Sequence, residues 1–375
     1  MALSGNMKYA RMVIEKESPE EYGYGRIRYN LSESSIRDRK LSDVGVPPAG
    51  LTLFYGEHRG EARLRELIAS QAENLDAGDV LVTAGAAGAL FIIATSLLAP
   101  GDHLVVVRPN YATNIETPKA IGCDITYVDL AFEDGFALDT QTVAAAIRSN
   151  TRLVSITCPH NPTGTLIAPD QLCQLIELVE GSGCRLLVDE TYRDLSYGAQ
   201  LPIAASLSPS AISVCSLSKA YGIPGIRMGW IISRDAGLID RFLAAKEQIG
   251  ICGSVVDEWL AVAALERRMT FLAELAPVMQ SRRAIVREWI DGDPLIEWVE
   301  PQGGVVCFPR LKVPGCFDFE SFYTRLLNGH GTYVGPGHWF EMPKSHFRIG
   351  FMWPFEEELK GGLAAISAAA REGPT

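Results

Sequence analysis

Fourteen consecutive residues, Ser216-Leu217-Ser218-Lys219-Ala220-Tyr221-Gly222-Ile223-Pro224-Gly225-Ile226-Arg227-Met228-Gly229, hold more chemistry than any other part of the chain. The apolar run Ala211–Cys215 precedes them and reads as a strand that ends in small hydroxyl residues. A lysine follows, then a Gly/Pro-rich loop, then Arg227 eight residues beyond the lysine. Ligands bind at strand ends in open α/β sheets. Arg227 offers a planar fork of donors, and Ser216 and Ser218 offer short ones, a set that suits a phosphate. A lysine held beside a phosphate-bearing aldehyde can form a Schiff base, which is the arrangement for pyridoxal 5′-phosphate (PLP). Ser-x-x-Lys alone is more often a surface lysine; the loop and the arginine give it direction.

Other strings carry weaker signals one by one. Thr83-Ala84-Gly85-Ala86-Ala87-Gly88 sits where a strand turns into a helix, and free N–H groups at a helix start bind anions. Asp189 ends the apolar run Leu187-Val188-Asp189, where a carboxylate is costly unless paired. Arg348, inside Phe347-Arg348-Ile349, needs an anion partner for the same reason. Tyr111 after Arg108-Pro109-Asn110 reads as readily as a core aromatic, and Asn161-Pro162 as a simple turn. His160 reads as structural, and for Tyr55 the two readings are even.

These residues need a scaffold. Strand candidates are Val80–Thr83, His103–Val107, Ile125–Val128, Arg152–Ile156, Arg185–Val188, Ala211–Cys215 and Met228–Ile232, alternating with helical patterns. Short, nearly continuous apolar strands between helices indicate a buried, mainly parallel α/β sheet. Little helix separates the last three, so an antiparallel member is expected there. Beyond Ser233 long helices take over, then a small α+β unit ending in a helix over Phe355–Ala370. The expected division is an N-terminal segment 1–49 packing with the small domain or a partner, a large domain 50–280, and a small domain 281–375.

Composition bounds the function. The 375 residues are 47% hydrophobic and 21% charged, ordinary usage for a globular chain. With 34 Lys and Arg against 45 Asp and Glu, the net charge of −11 disfavours nucleic acid and anionic membranes as partners. Ala84–Pro100, the longest apolar stretch, is too short to span a bilayer. The first 21 residues show no leader pattern, and eight scattered cysteines without C-x-x-C suit reduced thiols, so a cytoplasmic protein is expected. No metal site is expected.

The lysine segment resembles, position for position, the PLP-attachment signature of class I/II aminotransferases, which are fold-type I PLP enzymes. The other strings fall in that family's order across about residues 30–350. The resemblance implies a large α/β/α domain with a mainly parallel seven-stranded sheet, a small α+β domain, and a homodimer with shared sites. It implies a Schiff base on Lys219, which also moves the substrate's α-proton, and a phosphate held by Gly85, Ala86, Ala87, Ser216 and Arg227. Since 84–90 has no hydroxyl or amide side chain, that stretch must hold the phosphate by backbone alone. Tyr111 would stack on the pyridine ring and Asp189 would pair with its nitrogen. Asn161 and Tyr192 would both donate to the phenolate oxygen. Tyr55, in Tyr55-Gly56-Glu57-His58-Arg59-Gly60, would reach the neighbouring subunit's phosphate.

Arg348 would clamp the α-carboxylate of an amino acid or 2-oxo acid, with Asn161 and Ser32 beside it. The segment Asn30-Leu31-Ser32-Glu33-Ser34 departs from the commoner glycine-bearing form at the substrate mouth. Pro109 and Pro162 would follow cis peptides, as in relatives. Amino-group transfer is the implied reaction. Alternatives are a PLP-dependent lyase or cyclase, which Pro301-Gln302-Gly303-Gly304 and Cys307-Phe308-Pro309-Arg310 also resemble, and a non-catalytic binding module. An acidic substrate would require another basic group, for which Arg26, Arg28, Arg59 and His58 are candidates by position.

Overall fold

The computed structural model describes residues 7–372. Seven strands form one sheet: Val80–Ala84 (β1), His103–Arg108 (β2), Asp124–Asp129 (β3), Thr151–Thr157 (β4), Arg185–Asp189 (β5), Ala211–Ser216 (β6) and Met228–Ile232 (β7). All seven lie where the apolar runs predict. Their spatial order is β1-β7-β6-β5-β4-β2-β3. Neighbours are parallel except at β7, which runs antiparallel to both β1 and β6. The cause is the loop between β6 and β7. It holds a single 3₁₀ turn, Pro224–Ile226, and a parallel return needs a crossover of a dozen or more residues.

Alternation along the strands loads both faces with aliphatic side chains. Leu104 and Val106 on β2 pack with Ile92 and Ile93 of the helix Gly85–Leu97 (α1) and Phe242 of the helix Ala236–Gly250. Val105 and Val107 point the other way, toward Leu172, Leu175 and Val179 of the helix Pro169–Ser182. Each fully buried leucine or valine is worth about 1.5–3 kcal/mol, so both layers hold the sheet rigid beneath its strand ends. The apolar stretch 84–100 is thus α1 and its flanks, and no helix among the described residues is long and apolar enough to cross a membrane.

A second set of small sheets involves the chain's two ends. Phe347–Gly350 pairs antiparallel with Val306–Cys307 and with Gly335–Pro336. Tyr29–Asn30, a strand the apolar pattern does not reveal, pairs in parallel with Thr332–Tyr333. The chain then crosses Gly350, whose N–H donates to the Leu31 carbonyl at 2.7 Å. A Cβ on Gly350 would lie 1.6 Å from the Glu33 carbonyl oxygen, so only glycine lets residues 31–33 run this close. That contact brings the N-terminal string over the sheet's strand ends. The 25-residue helix Arg268–Gly292 runs unbroken through residue 280.

Candidate active site

β4, β5 and β6 end at Thr157, Asp189 and Ser216 on one edge, and a cavity of about 420 Å³ opens there. At one end α1 begins immediately after β1 with no side chain capping its first N–H groups, and Ala86 and Ala87 line the cavity. Gly85 lies against Arg227: a Cβ there would sit 2.6 Å from Arg227 Nη2. Its φ of +73° also favours glycine. Arg227 is itself held at a φ of +46°, and its Nη1 donates to the Pro224 carbonyl at 2.9 Å. Bare helix N–H groups, a guanidinium, and the hydroxyl-bearing Ser216 and Ser218 form a cradle for a phosphate.

In the middle, Asp189 Oδ1 accepts from the Thr191 N–H at 3.1 Å and from Thr191 Oγ1 at 2.6 Å. Burial pushes the Asp189 carboxyl above its usual pKa, the Thr191 bonds opposing. Such a carboxylate calls for a cation beside it. Glu190 points away instead, accepting from the Ala204 N–H at 2.7 Å and Ser213 Oγ at 2.9 Å. Burial raises its pKa to about 7. Tyr111 is fixed by its N–H, which donates to Asn110 Oδ1 at 2.7 Å.

His160 has a clear structural task. Its Nε2 donates to the Pro109 carbonyl at 2.8 Å, so Nδ1 accepts from Thr163 Oγ1 at 2.7 Å. It therefore ties the turn before Tyr111 to the turn bearing Asn161. Burial lowers its pKa to about 4, so it is neutral at physiological pH. Peptides before Pro109 and Pro162 are cis, as the family resemblance implies, and so is the one before Pro159. Gln302 and Gly303 lock the same turn by donating to the Gly164 carbonyl at 2.8 and 2.9 Å.

Lys219 Nζ donates to Ser34 Oγ at 2.8 Å. Burial lowers its pKa to about 8, helped by the charge of Arg348 and opposed by Glu33. Tyr192 donates to the Ser34 carbonyl at 2.7 Å, and burial lifts its pKa to about 12. Arg348, only 4% exposed, donates through Nη1 to Asn161 Oδ1 at 3.1 Å and through Nη2 to the Ser32 carbonyl at 2.8 Å. Its buried Nε has no partner. With Asn161 Oδ1 engaged, Asn161 Nδ2 makes no bond to the protein among the described residues.

The cavity brings together Ser32, Ala86, Ala87, Tyr111, Asn161, Asp189, Tyr192, Ser216, Lys219, Arg227 and Arg348, with Gly85 packed against Arg227. Tyr55 lies outside it, 78% exposed. Arg26, Arg28, Arg59 and His58 do not line it either; Arg59 pairs with Asp240 and His58 with Glu247. Sequence reasoning missed Ser34, Glu33 and Trp339. Ser34 and Glu33 stand in the string 30–34 that it placed at the mouth, but nothing in their types singles them out.

The residues fit PLP. A phosphate cradle, a buried unpaired carboxylate, a lysine of lowered pKa and an arginine with an unpartnered Nε are the groups its phosphate, ring nitrogen, aldehyde and carboxylate-bearing substrate require. Relatives agree. The sequence profile of the family "Aminotransferase class I and II" matches residues 49–366. Capreomycidine synthase from Streptomyces vinaceus is 31% identical over 365 residues, 96% of this chain and 89% of that protein. The arginine–pyruvate transaminase of Pseudomonas aeruginosa is 30% identical over 333 residues, covering 85% and 82%. A crystal structure of a PLP-dependent aminotransferase from Streptococcus suis superposes with a TM-score of 0.90 at 28% identity, covering 97% of this chain and 98% of that one. From cavity to family, the same conclusion holds: the chain belongs to the class I and II aminotransferases, PLP-dependent transferases of fold type I.

Proposed function

We propose that the protein moves an amino group between an α-amino acid and a 2-oxo acid with PLP carried on Lys219. The observation that carries this reading is Arg348, buried with Nε unpartnered, in the same cavity as Lys219. When bound, PLP supplies an electron sink for the pair left as the substrate's α-proton departs. Arg348 holds the carboxylate through its donor fork and so orients the α-carbon. Lys219, with a pKa near 8, exists partly as the neutral amine at physiological pH and can accept and return that proton. Asp189 would hold a cationic ring nitrogen. Asn161 Nδ2 and the Tyr192 hydroxyl, which here donates to the Ser34 carbonyl, would supply donors to the phenolate oxygen.

Tyr55 and the neighbouring Leu53 and Phe54 are exposed, at 78%, 76% and 62%, which supports a homodimer in which Tyr55 reaches the other copy's phosphate. In this reading 50–280 is the cofactor domain, while 1–49 and 281–375 form the part that carries Arg348. Eight unpaired thiols suit a reducing compartment, and we place the protein in the cytoplasm. A second reading, ring closure or elimination on the same cofactor, is favoured by the 31% identity to capreomycidine synthase.

One experiment separates the two. Mixed with single amino acids and no oxo acid, the loaded protein should lose PLP absorbance and yield pyridoxamine phosphate. Ammonia or a cyclic product without pyridoxamine phosphate would establish the second reading. Borohydride reduction should leave a pyridoxyl group on Lys219, and an unmodified Lys219 in loaded protein would refute both.

A further inference from the structure

Three basic side chains line the cavity, and the proposed function uses all of them: Arg227 at the phosphate end, Lys219 at the aldehyde, Arg348 at the carboxylate. Among the described residues of one chain, no further cation lines the cavity to receive an acidic substrate side chain. Carboxylates stand there instead. Glu15, Glu20, Glu33 and Asp38, all from the N-terminal segment, line the same cavity. Asp38 accepts from Trp353 Nε1 at 3.0 Å, and Glu33 Oε1 accepts from Tyr24 OH at 3.2 Å and Asn30 Nδ2 at 3.5 Å. Among the described residues, none of Glu15, Glu20 and Glu33 forms a salt bridge.

Glu33 stands nearest the chemistry. The same string supplies Ser32, whose carbonyl holds Arg348, and Ser34, whose hydroxyl holds Lys219. Glu33 stands between these two in sequence, and the charges of both Lys219 and Arg348 act on its carboxyl. Burial pushes its carboxyl above the usual pKa, with the charges of Lys219 and Arg348 opposing. A half-buried carboxylate fixed by a neutral phenol and an amide gains most from a cation. Arg348, 96% buried by its 4% exposure and with Nε unpartnered, independently calls for an anion in the same space. A ligand satisfying both carries a carboxylate at one end and a positive charge at the other.

We infer that the amino-acid substrate carries a cationic side chain, guanidinium or ammonium, received by Glu33 with Glu20 and Glu15 around it. This rests on the reading that Arg348 takes the α-carboxylate. On the PLP-loaded protein, calorimetric binding of L-arginine, L-lysine, L-citrulline, L-norleucine and L-glutamate tests it. Arginine should bind at least tenfold tighter than citrulline, or lysine tenfold tighter than norleucine, and which pair separates identifies the cation. Glutamate should be weakest. Glu33→Gln should shrink that preference tenfold or more, in a protein whose Lys219 still reduces with borohydride. Equal binding of cationic and neutral partners, tighter binding of glutamate, or a preference unchanged in E33Q each overturns the inference. PLP absorbance reports transfer separately. Transfer without cationic preference sinks this inference alone, whereas selective binding without transfer supports it and sinks the transferase reading.

Discussion

Lys219 is a buried amine that the fold must hold against its preference for water, and replacing it by methionine in the cofactor-free protein measures that cost. Its pKa falls from the usual 10.5 to about 8, a depression of about 2.5 units. At roughly 1.36 kcal/mol per unit, the folded state carries a penalty of about 3 kcal/mol. The sign follows from proton counts. Below pH 8 both folded and unfolded lysines are protonated, and the full penalty is present. Between pH 8 and 10.5 the unfolded chain binds the extra proton, so stability rises with pH and the penalty fades. Lys219→Met removes the charge but also the 2.8 Å bond to Ser34, worth about 1 kcal/mol.

The variant should therefore be about 2 kcal/mol more stable than the parent at pH 7, and the advantage should shrink by about 2 kcal/mol by pH 10. Urea unfolding of both cofactor-stripped proteins, at one protein concentration and at the two pH values, reads the difference directly. Contributions from titrating groups remote from Lys219 cancel between parent and variant, whereas Glu33 and Asp189 lose a charge that favours their ionised forms. A Lys219→Met protein less stable than the parent at pH 7, or a difference independent of pH, would refute the claim that burial of a charged amine sets the lysine's acidity.

Gly85→Ala places a Cβ 2.6 Å from Arg227 Nη2 at a φ of +73°, so PLP affinity should fall at least tenfold by equilibrium dialysis while the far-ultraviolet spectrum is kept. Arg348→Leu leaves Asn161 Oδ1 and the Ser32 carbonyl without their donor and the carboxylate without its clamp; kcat/KM should drop about 10²–10³-fold, with PLP retention unchanged. His160→Ala breaks two buried hydrogen bonds and should cost about 2–3 kcal/mol in urea at pH 8, and about 1 kcal/mol less at pH 6, where the unfolded imidazole takes up a proton that the buried one, with a pKa of about 4, does not. Asp189→Asn should slow the single-amino-acid half-reaction by 10²-fold or more while the pyridoxyl label on Lys219 persists, and an unchanged rate would remove Asp189 from the chemistry.

What the sequence discloses and what it hides divide along one physical line. A residue is legible where its type conflicts with its surroundings. The cis peptides at Pro109 and Pro162 follow only from the family resemblance, whereas Asp189 and Arg348 are charges inside apolar strands. Each breaks a local rule, and the breach marks the site. The seven sheet strands are legible for the complementary reason, since burial on both faces leaves an unbroken aliphatic run.

Ser34 and Glu33 break no local rule. A serine and a glutamate in an irregular segment are ordinary, and Tyr29–Asn30 is too short to show a period. They reach Lys219 and Arg348 only because residues 31–33 run across Gly350, more than 300 positions away, where the absent Cβ admits the Glu33 carbonyl. The residues proposed for the chemistry thus stand at or just beyond the sheet's strand ends, whereas those proposed to face a substrate side chain come from a segment whose placement is purely tertiary. That separation is incomplete: the charges of Glu33 and Glu15 both oppose the lowering of the Lys219 pKa, so exchanging Glu33 also changes the lysine. Under the proposed mechanism, substrate choice and proton handling are therefore coupled through Glu33.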